Sequence, residues 1–281
     1  RFSIFDPILE SRARANLGLV RKIEQALERH EFVLHYQPKV DCRAGRVVGL
    51  EALIRWNHPV LGQRMPGEFL PLIEHEDVIV RIGDWVIDEA LREQARLRAA
   101  GHELTISVNI AARQLVRRQF AERLEAIAGD GFAGTVDRLQ IEILESAALE
   151  DIGTVSSLIA SFQTRGIRFA LDDFGTGYSS LMHLKRLAAG VLKIDQAFVR
   201  DMLDDPGDLA IVQGVIGLAA AFRRDVVAEG VEDMEHVRML LSIGCDVMQG
   251  HGISRPLPVE AVEAWLRNFK PDPRWRAPLA E

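Results

Sequence analysis

Between Glu31 and Lys270 the sequence runs through one theme eight times: a short apolar stretch with strand character, followed in most cases by an amphipathic helical stretch. The strand candidates are 31–36, 47–54, 104–110, 139–144, 167–171, 191–194, 226–228 and 247–249. The spacing of apolar residues predicts helices over 12–30, 78–100, 111–128, 152–165, 179–188, 208–222, 232–242 and 259–269. Gly101 and Gly166 follow two of them, where helices commonly stop. The strands recur about every 30 residues, the size of one strand–helix unit, and eight such units close into a barrel. The first two strands break the pattern. Only about ten residues separate Tyr36 from Val47, and Asp41–Gly45 reads as a turn, too short for a crossover helix. That pair is expected to be antiparallel. The fold class is therefore α/β, a modified TIM (β/α)8 barrel with an antiparallel first strand. An open doubly wound sheet is the alternative the pattern leaves standing.

Composition narrows the function classes. The chain has 281 residues and 48% apolar content, which a disordered chain would not carry. One large barrel fits the length. The formal charge of −7 makes the chain a poor general binder of DNA, whose affinity comes from Lys and Arg. The apolar run around Val215–Phe222 is far short of a membrane span. Arg1-Phe2-Ser3-Ile4 is no signal peptide, and the absence of an initiator Met points to a piece of a longer protein. Cys42 and Cys245 cannot build a disulfide framework and read as reduced thiols of a cytoplasmic domain, whose parent protein could still be membrane-tethered. The expected divisions are a linker and leader helix over 1–30, the barrel over 31–270 and a tail over 271–281.

The chemistry lies at the strand ends. Glu51 is in the second strand, Asn109 near the end of the third, and Glu142 in the fourth. Asp172 and Asp173 end the fifth, Lys193 and Asp195 lie at the sixth, Glu229 ends the seventh, and Gln249 lies at the eighth. In a barrel the C-terminal strand ends share one mouth. Any one of these residues alone reads as a solvated carboxylate or a helix N-cap. The set does not, because crowded carboxylates stay protonated unless cations compensate them. Glu51, Asn109, Glu142 and Asp172 make an all-oxygen shell suited to Mg²⁺ or Mn²⁺. Asp173 beside Asp172 can extend it to a second ion, the arrangement that suits phosphodiester cleavage.

Three look-alikes carry less weight. His30-Glu31-Phe32-Val33-Leu34-His35 is one residue too long for a zinc-protease motif and lies in a strand. Asp173-Phe174-Gly175 mimics a kinase triplet without a kinase's other loops. Gly175-Thr176-Gly177-Tyr178-Ser179-Ser180 approaches a dinucleotide fingerprint, but two aspartates stand directly before it, where they would repel a pyrophosphate.

At these residues the chain resembles an EAL-domain cyclic di-GMP phosphodiesterase. The likeness runs from about Glu31 to Phe269. It rests on Tyr36-Gln37-Pro38, Glu51-Ala52-Leu53-Ile54-Arg55-Trp56, Ser107-Val108-Asn109, Glu142 with Glu145, Asp172 through Leu181, Leu192-Lys193-Ile194-Asp195 and Ala228-Glu229-Gly230-Val231-Glu232, in that order. The resemblance implies a metal-dependent barrel that opens cyclic di-GMP to linear pGpG. Glu51, Asn109, Glu142 and Asp172 would hold one ion. Asp172 and Asp173 would hold the other, with Glu229 as ligand or water-orienting base. It further implies that Lys193 contacts the attacking water, Arg55 pairs with a substrate phosphate, Gln37 contacts the ligand near a guanine, and Gln249 supports the metal–water network. Glu145 would anchor the loop after Asp173, a loop tied in this family to homodimer contacts. Two positions depart from the family pattern: Leu144 stands where Thr is common and His251 where Tyr is common. The opening Arg1–Pro7 resembles the end of a GGDEF domain, implying a missing N-terminal regulatory region. The rival within this family is a module that binds cyclic di-GMP, or a partner protein, without hydrolysis. Such modules usually lack some of the acidic residues, all of which are present here. A purely structural role would leave the acidic mouth costly and idle.

Overall fold

The computed structural model describes residues 7–129, 138–164, 166–176 and 181–276. Its strands are β1 (Phe32–Asp41), β2 (Arg46–His58), β3 (Gly62–Arg64), β4 (Thr105–Asn109), β5 (Leu139–Leu144), β6 (Arg168–Phe174), β7 (Val191–Ile194), β8 (Asp225–Ala228), β9 (Val247–Met248) and β10 (Leu257–Pro258). From β2 the parallel ladder runs through β4, β5, β6, β7 and β8 to β9. β1 closes the ring, antiparallel to both β2 and β9. The result is an eight-stranded barrel, so the open-sheet alternative is excluded. The expected antiparallel first pair is present as a long hairpin, with Gln37 opposite Glu51. β3 and β10 are short additions at the edges of β2 and β1.

Alternation along the strands separates two kinds of interior. Ile106, Val108, Leu139, Ile141, Ile143, Phe169, Leu171, Leu192 and Ile194 point outward into the large core beneath the helices. Their neighbours point into the barrel, as the period of two requires. Ala170, Val191 and Val227, with the partly buried Val247, form a small separate cluster there. Most of the remaining inward positions towards the C-terminal strand ends are polar, and they make the site.

The helices largely follow the expected pattern. Val78–Ala99 buries Val78, Ile82, Val86, Ala90 and Leu97 on one stripe, the mark of a surface helix on a core. The leader helix spans Pro7–Glu28, and its Ile23 and Ala26 are fully buried in the main core. The single helix expected over 111–128 is divided into Ala112–Leu115 and Arg118–Gly129. The break lets Gln114 pack directly over Gly83 and donate to Asp84. Two short helices escape periodicity, Glu145–Glu150 after β5 and Gln196–Asp201 after β7. The helix expected over 179–188 is described as Leu181–Arg186. Gly177–Ser180, the end of the glycine-rich motif, lie outside the described residues, as do Arg1–Asp6 and 277–281. Within the expected tail, Trp275 is buried and its ring lies 6.2 Å from that of Phe269.

Candidate active site at the barrel mouth

A single ammonium organises the mouth. Lys193, on β7, is 1% exposed. Its Nζ lies 2.5 Å from Glu142 Oε2, 2.7 Å from Glu229 Oε1, 2.9 Å from Asp172 Oδ1 and 3.6 Å from Glu51 Oε1. These carboxylates come from β2, β5, β6 and the residue after β8, so closure of the barrel itself assembles them. Asn109, paired with Glu142 across β4 and β5, donates its amide to Glu51 Oε1 at 2.7 Å. Gln249, just after β9, donates to Glu51 Oε2 at 2.5 Å and to Gln37 Oε1 at 2.9 Å. Gln37 in turn donates to the Ser254 carbonyl at 3.0 Å. One edge of the mouth is thus a continuous hydrogen-bonded chain. Gln249 Oε1, buried midway along it, accepts no hydrogen bond among the described residues.

The second edge is the turn after β6. Asp173 has a left-handed backbone, φ 53°, a conformation uncommon outside glycine but more accessible to Asp. Its amide donates to Asp172 Oδ1 at 3.1 Å, and the Gly175 amide donates to Glu145 Oε2 at 3.0 Å. Gly175 has φ 107°, and a Cβ there would lie 3.2 Å from the Phe198 ring. Glycine is required on both counts. Glu145 is 2% exposed, so the turn is tied to a carboxylate buried at the start of the helix after β5. Asp195, grouped with the mouth residues by sequence, accepts from the Ala197 amide and caps Gln196–Asp201, and its nearby carboxyl works against the Asp173 charge. Arg55 is buried on β2, four residues beyond Glu51 and on the same face, and donates to the Ile54 carbonyl. Leu144 is 41% exposed, and His251 is exposed on the loop after β9.

Three polar residues beneath the mouth were given no role from sequence, Lys39, Gln140 and Ser107, the last quoted only as part of Ser107-Val108-Asn109; each is buried. Their signal was parity. Each lies two positions from a mouth residue on its own strand (Gln37, Asn109 and Glu142), one layer deeper in the barrel. Lys39 pairs with Glu142 Oε1 at 3.1 Å.

One buried lysine at the mouth and one beneath do not neutralise all of these acids. Burial works against the Glu142 charge, but Lys193 and Lys39 outweigh it and bring the pKa down to about 2. Burial raises Glu51 and Asp172 despite Lys193, and it holds Glu229 well above the usual range. Burial, with repulsion from Asp172 and Asp195, lifts Asp173 to about 7. Lys193 is held protonated by the acids despite burial. The site is therefore short of positive charge.

Glu51, Glu142 and Asp172 can bring one oxygen each within 4.8 Å of one another, and so can Asp172, Asp173 and Glu229. Asp172 belongs to both triads. All-oxygen triads short of positive charge fit hard divalent cations. The Asn109 amide oxygen completes the set, since its N–H is committed to Glu51.

A pH effect follows. Asp173, raised to about 7, holds in the folded, cation-free chain a proton that the unfolded chain releases between about pH 4 and about 7, and Glu51, Asp172 and Glu229 are shifted in the same direction. These groups therefore cost stability as pH rises through that window. Cation uptake, which requires deprotonated ligands, strengthens over the same range. The increase in melting temperature produced by Mg²⁺ or Mn²⁺ is expected to be larger at about pH 8 than at about pH 5. Thermal melts with and without a chelator check this, and an increment independent of pH would contradict it.

The sequence pattern described as "EAL domain" matches residues 20–256. The chain is 38% identical over 94% of its length to "Bifunctional diguanylate cyclase/cyclic di-GMP phosphodiesterase MucR" of Pseudomonas aeruginosa, of which it covers 38%. It is 35% identical over 96% of its length to "Cyclic di-GMP phosphodiesterase PdeR" of Escherichia coli, of which it covers 40%. The chain thus spans about two fifths of these curated relatives' length. Among solved structures, "PaMucR Phosphodiesterase, c-di-GMP complex" superposes with a TM-score of 0.82 at 39% identity, covering 87% of this chain and 99% of that one. The EAL enzyme Bd1971 in its cAMP- and cyclic-di-GMP-bound form gives 0.84 at 31% identity, covering 90% of this chain and 69% of that one.

Proposed function

The chain belongs to the EAL-domain family, and from that premise we propose that it hydrolyses one phosphodiester bond of cyclic di-GMP, giving linear pGpG. The observation that carries this reading is the complete acidic set around Lys193, short of positive charge and filled at every position a divalent cation would need. Glu51, Asn109, Glu142 and Asp172 would hold one Mg²⁺ or Mn²⁺; Asp172 and Asp173, with Glu229 beside them, would hold a second. Such a pair, when bound, supplies Lewis acidity to the phosphoryl oxygens and a more acidic water.

The chain's own groups would do the rest. Arg55 offers a planar fork to a phosphate at the rim. Gln37 meets the ligand near a guanine, and Gln249 links it to Glu51, coupling the nucleotide side of the mouth to the acidic side. Glu229, which burial keeps protonated until divalent cations beside it offset that cost, would then orient the attacking water and take its proton. The Lys193 ammonium, already in contact with Glu229, favours the resulting hydroxide. As the water oxygen bonds to phosphorus, the bond to the 3′ oxygen breaks and that oxygen takes up a proton. One end of the product is then a 5′ phosphate and the other a 3′ hydroxyl. Glu145 holds the turn that carries Asp173.

Among the described residues no helix is long and apolar enough to cross a membrane, and both cysteines are free and buried. A reducing, cytoplasmic setting is consistent with those thiols.

Product analysis tests the proposal. The purified chain, given cyclic di-GMP with Mg²⁺ or Mn²⁺, is expected to release pGpG, and a chelated control is expected to release none. Nucleotide that binds yet stays intact with either ion would replace the enzyme with a receptor.

A further inference from the structure

We propose that Lys39 is a positioning residue that, together with Ser107 and Gln140, locks Glu142 so that it offers a divalent cation a single oxygen. The inference rests on reading the acidic ring as a cation site. Lys39 is 4% exposed and lies one layer beneath Gln37 on β1. An ammonium has three N–H donors, and all three of Lys39's are engaged. They reach Glu142 Oε1 at 3.1 Å, Gln140 Oε1 at 3.1 Å and Ser107 Oγ. Ser107 Oγ donates to the same Gln140 oxygen at 2.7 Å, closing the network. The ammonium is thus a tripod whose three feet are fixed on β4 and β5.

The backbone is shaped for this tripod. The β1–β2 register shifts immediately after Lys39, and irregularities of this kind re-aim side chains beside active sites. Opposite Lys39 in the ladder stands Gly49. A Cβ there would lie 2.7 Å from the Thr105 carbonyl oxygen and 3.5 Å from Lys39 Cε. A side chain at Gly49 would clash with the β4 backbone at Thr105 and only touch the lysine stem, so glycine lets β2 lie close to β4 beside Lys39.

The consequence falls on Glu142, which is 0% exposed. Lys39 occupies Oε1 from beneath, while Oε2 faces Lys193 and the mouth. A cation arriving at the mouth meets one oxygen of a carboxylate that cannot turn to present both. Mg²⁺ takes carboxylates in near-octahedral geometry, whereas Ca²⁺ readily accepts both oxygens of one carboxylate. Lys39 therefore sets ion choice as well as affinity. Charge alone predicts the opposite sign for its removal, because deleting a cation beside a cation site tightens ion binding.

Calorimetric titration of Mg²⁺ and of Ca²⁺ into the chelator-stripped chain decides between these. For Lys39→Met, Mg²⁺ affinity is expected to fall about 10- to 100-fold, the usual cost of losing a partner that orients a metal ligand, and Ca²⁺ affinity to fall less. Ser107→Ala is expected to move both in the same directions by less, and it decides the matter if Lys39→Met does not fold. Unchanged or tighter Mg²⁺ binding, or equal loss for both ions, overturns the proposal. A native chain that takes up no Mg²⁺ or Mn²⁺ defeats the underlying cation-site reading instead.

Discussion

Lys193→Met is expected to slow hydrolysis by about 10²- to 10⁴-fold and to leave the cation-free chain much less stable, with divalent cations restoring the stability but not the activity. Methionine matches the length of the lysine stem and fills its volume. What it removes is the charge that four carboxylates, three of them buried and Glu229 partly so, face within 3.6 Å. Breaking buried ion pairs by deleting one partner typically costs about 3–5 kcal/mol, because the other charge stays buried without compensation. Glu142 has most to lose, since its carboxylate is held ionised by Lys193 and Lys39 together. Mg²⁺ or Mn²⁺ bound to the same acids would supply the missing charge, so the variant's melting temperature should gain more from either ion than the native chain's does. Acid should help as well, by protonating the acids. Turnover would not return, because the ammonium that favours hydroxide beside Glu229 is gone; a loss of about 10²- to 10⁴-fold is the scale for such a group. Melts in chelator and in saturating ion, beside the product assay, test both halves. A variant that melts with the native chain in chelator would show that Lys193 does not hold the acids together.

The features legible in the sequence and those hidden from it divide along physical lines. The eight barrel strands could be read because their outward residues, such as Ile106, Val108, Ile141 and Ile143, are bulky and β-branched against a helix layer. The antiparallel first pair could be read because four residues between β1 and β2 leave no room for a crossover. The mouth carboxylates stood out only as a set: one alone reads as a solvated acid or an N-cap, but several converging on one barrel mouth need compensating cations. Lys39 was hidden by the opposite logic. A lysine between Pro38 and Val40 looks like the solvated face of an edge strand, and only closure of the ring by β9 turns that face inward. Ser107 and Gln140 are too ordinary as residue types to stand out singly. The Gln196–Asp201 helix is six residues long, too short for a 3.6-residue period to declare itself, and its N-cap Asp195 was grouped with the mouth acids instead. Lys39, Ser107 and Gln140 share a cause. Periodicity within a segment reports which face is apolar, but not what the opposite face meets once distant strands come together.

Glu51→Ala is expected to lower turnover by about 10³-fold or more, equivalent to about 4 kcal/mol of barrier, while the far-ultraviolet circular dichroism and the nucleotide affinity stay near native. Glu51 is the acid at the centre of the hydrogen-bonded edge of the mouth. Asn109 donates to one of its oxygens and Gln249 to the other, and Lys193 lies 3.6 Å from the first. Removing the carboxylate thus takes a ligand from the first triad, frees the Asn109 amide to turn, and cuts the link from Gln37 through Gln249 to the acids. The barrel itself loses little. The position faces the polar mouth rather than the main core, and water can occupy the vacated space and satisfy the released amides. Nucleotide contacts through Arg55 and Gln37 do not pass through this side chain, so binding should outlast catalysis. Glu51→Gln separates charge from shape. An amide oxygen can still accept one of the two hydrogen bonds, so the mouth should keep its geometry while the cation site loses a charge and the affinity for Mg²⁺ or Mn²⁺ falls. If Glu51→Ala turned over near the native rate, Glu51 would be a hydrogen-bond hub and nothing more, and the first triad could not be the cation site on which the proposed hydrolysis depends.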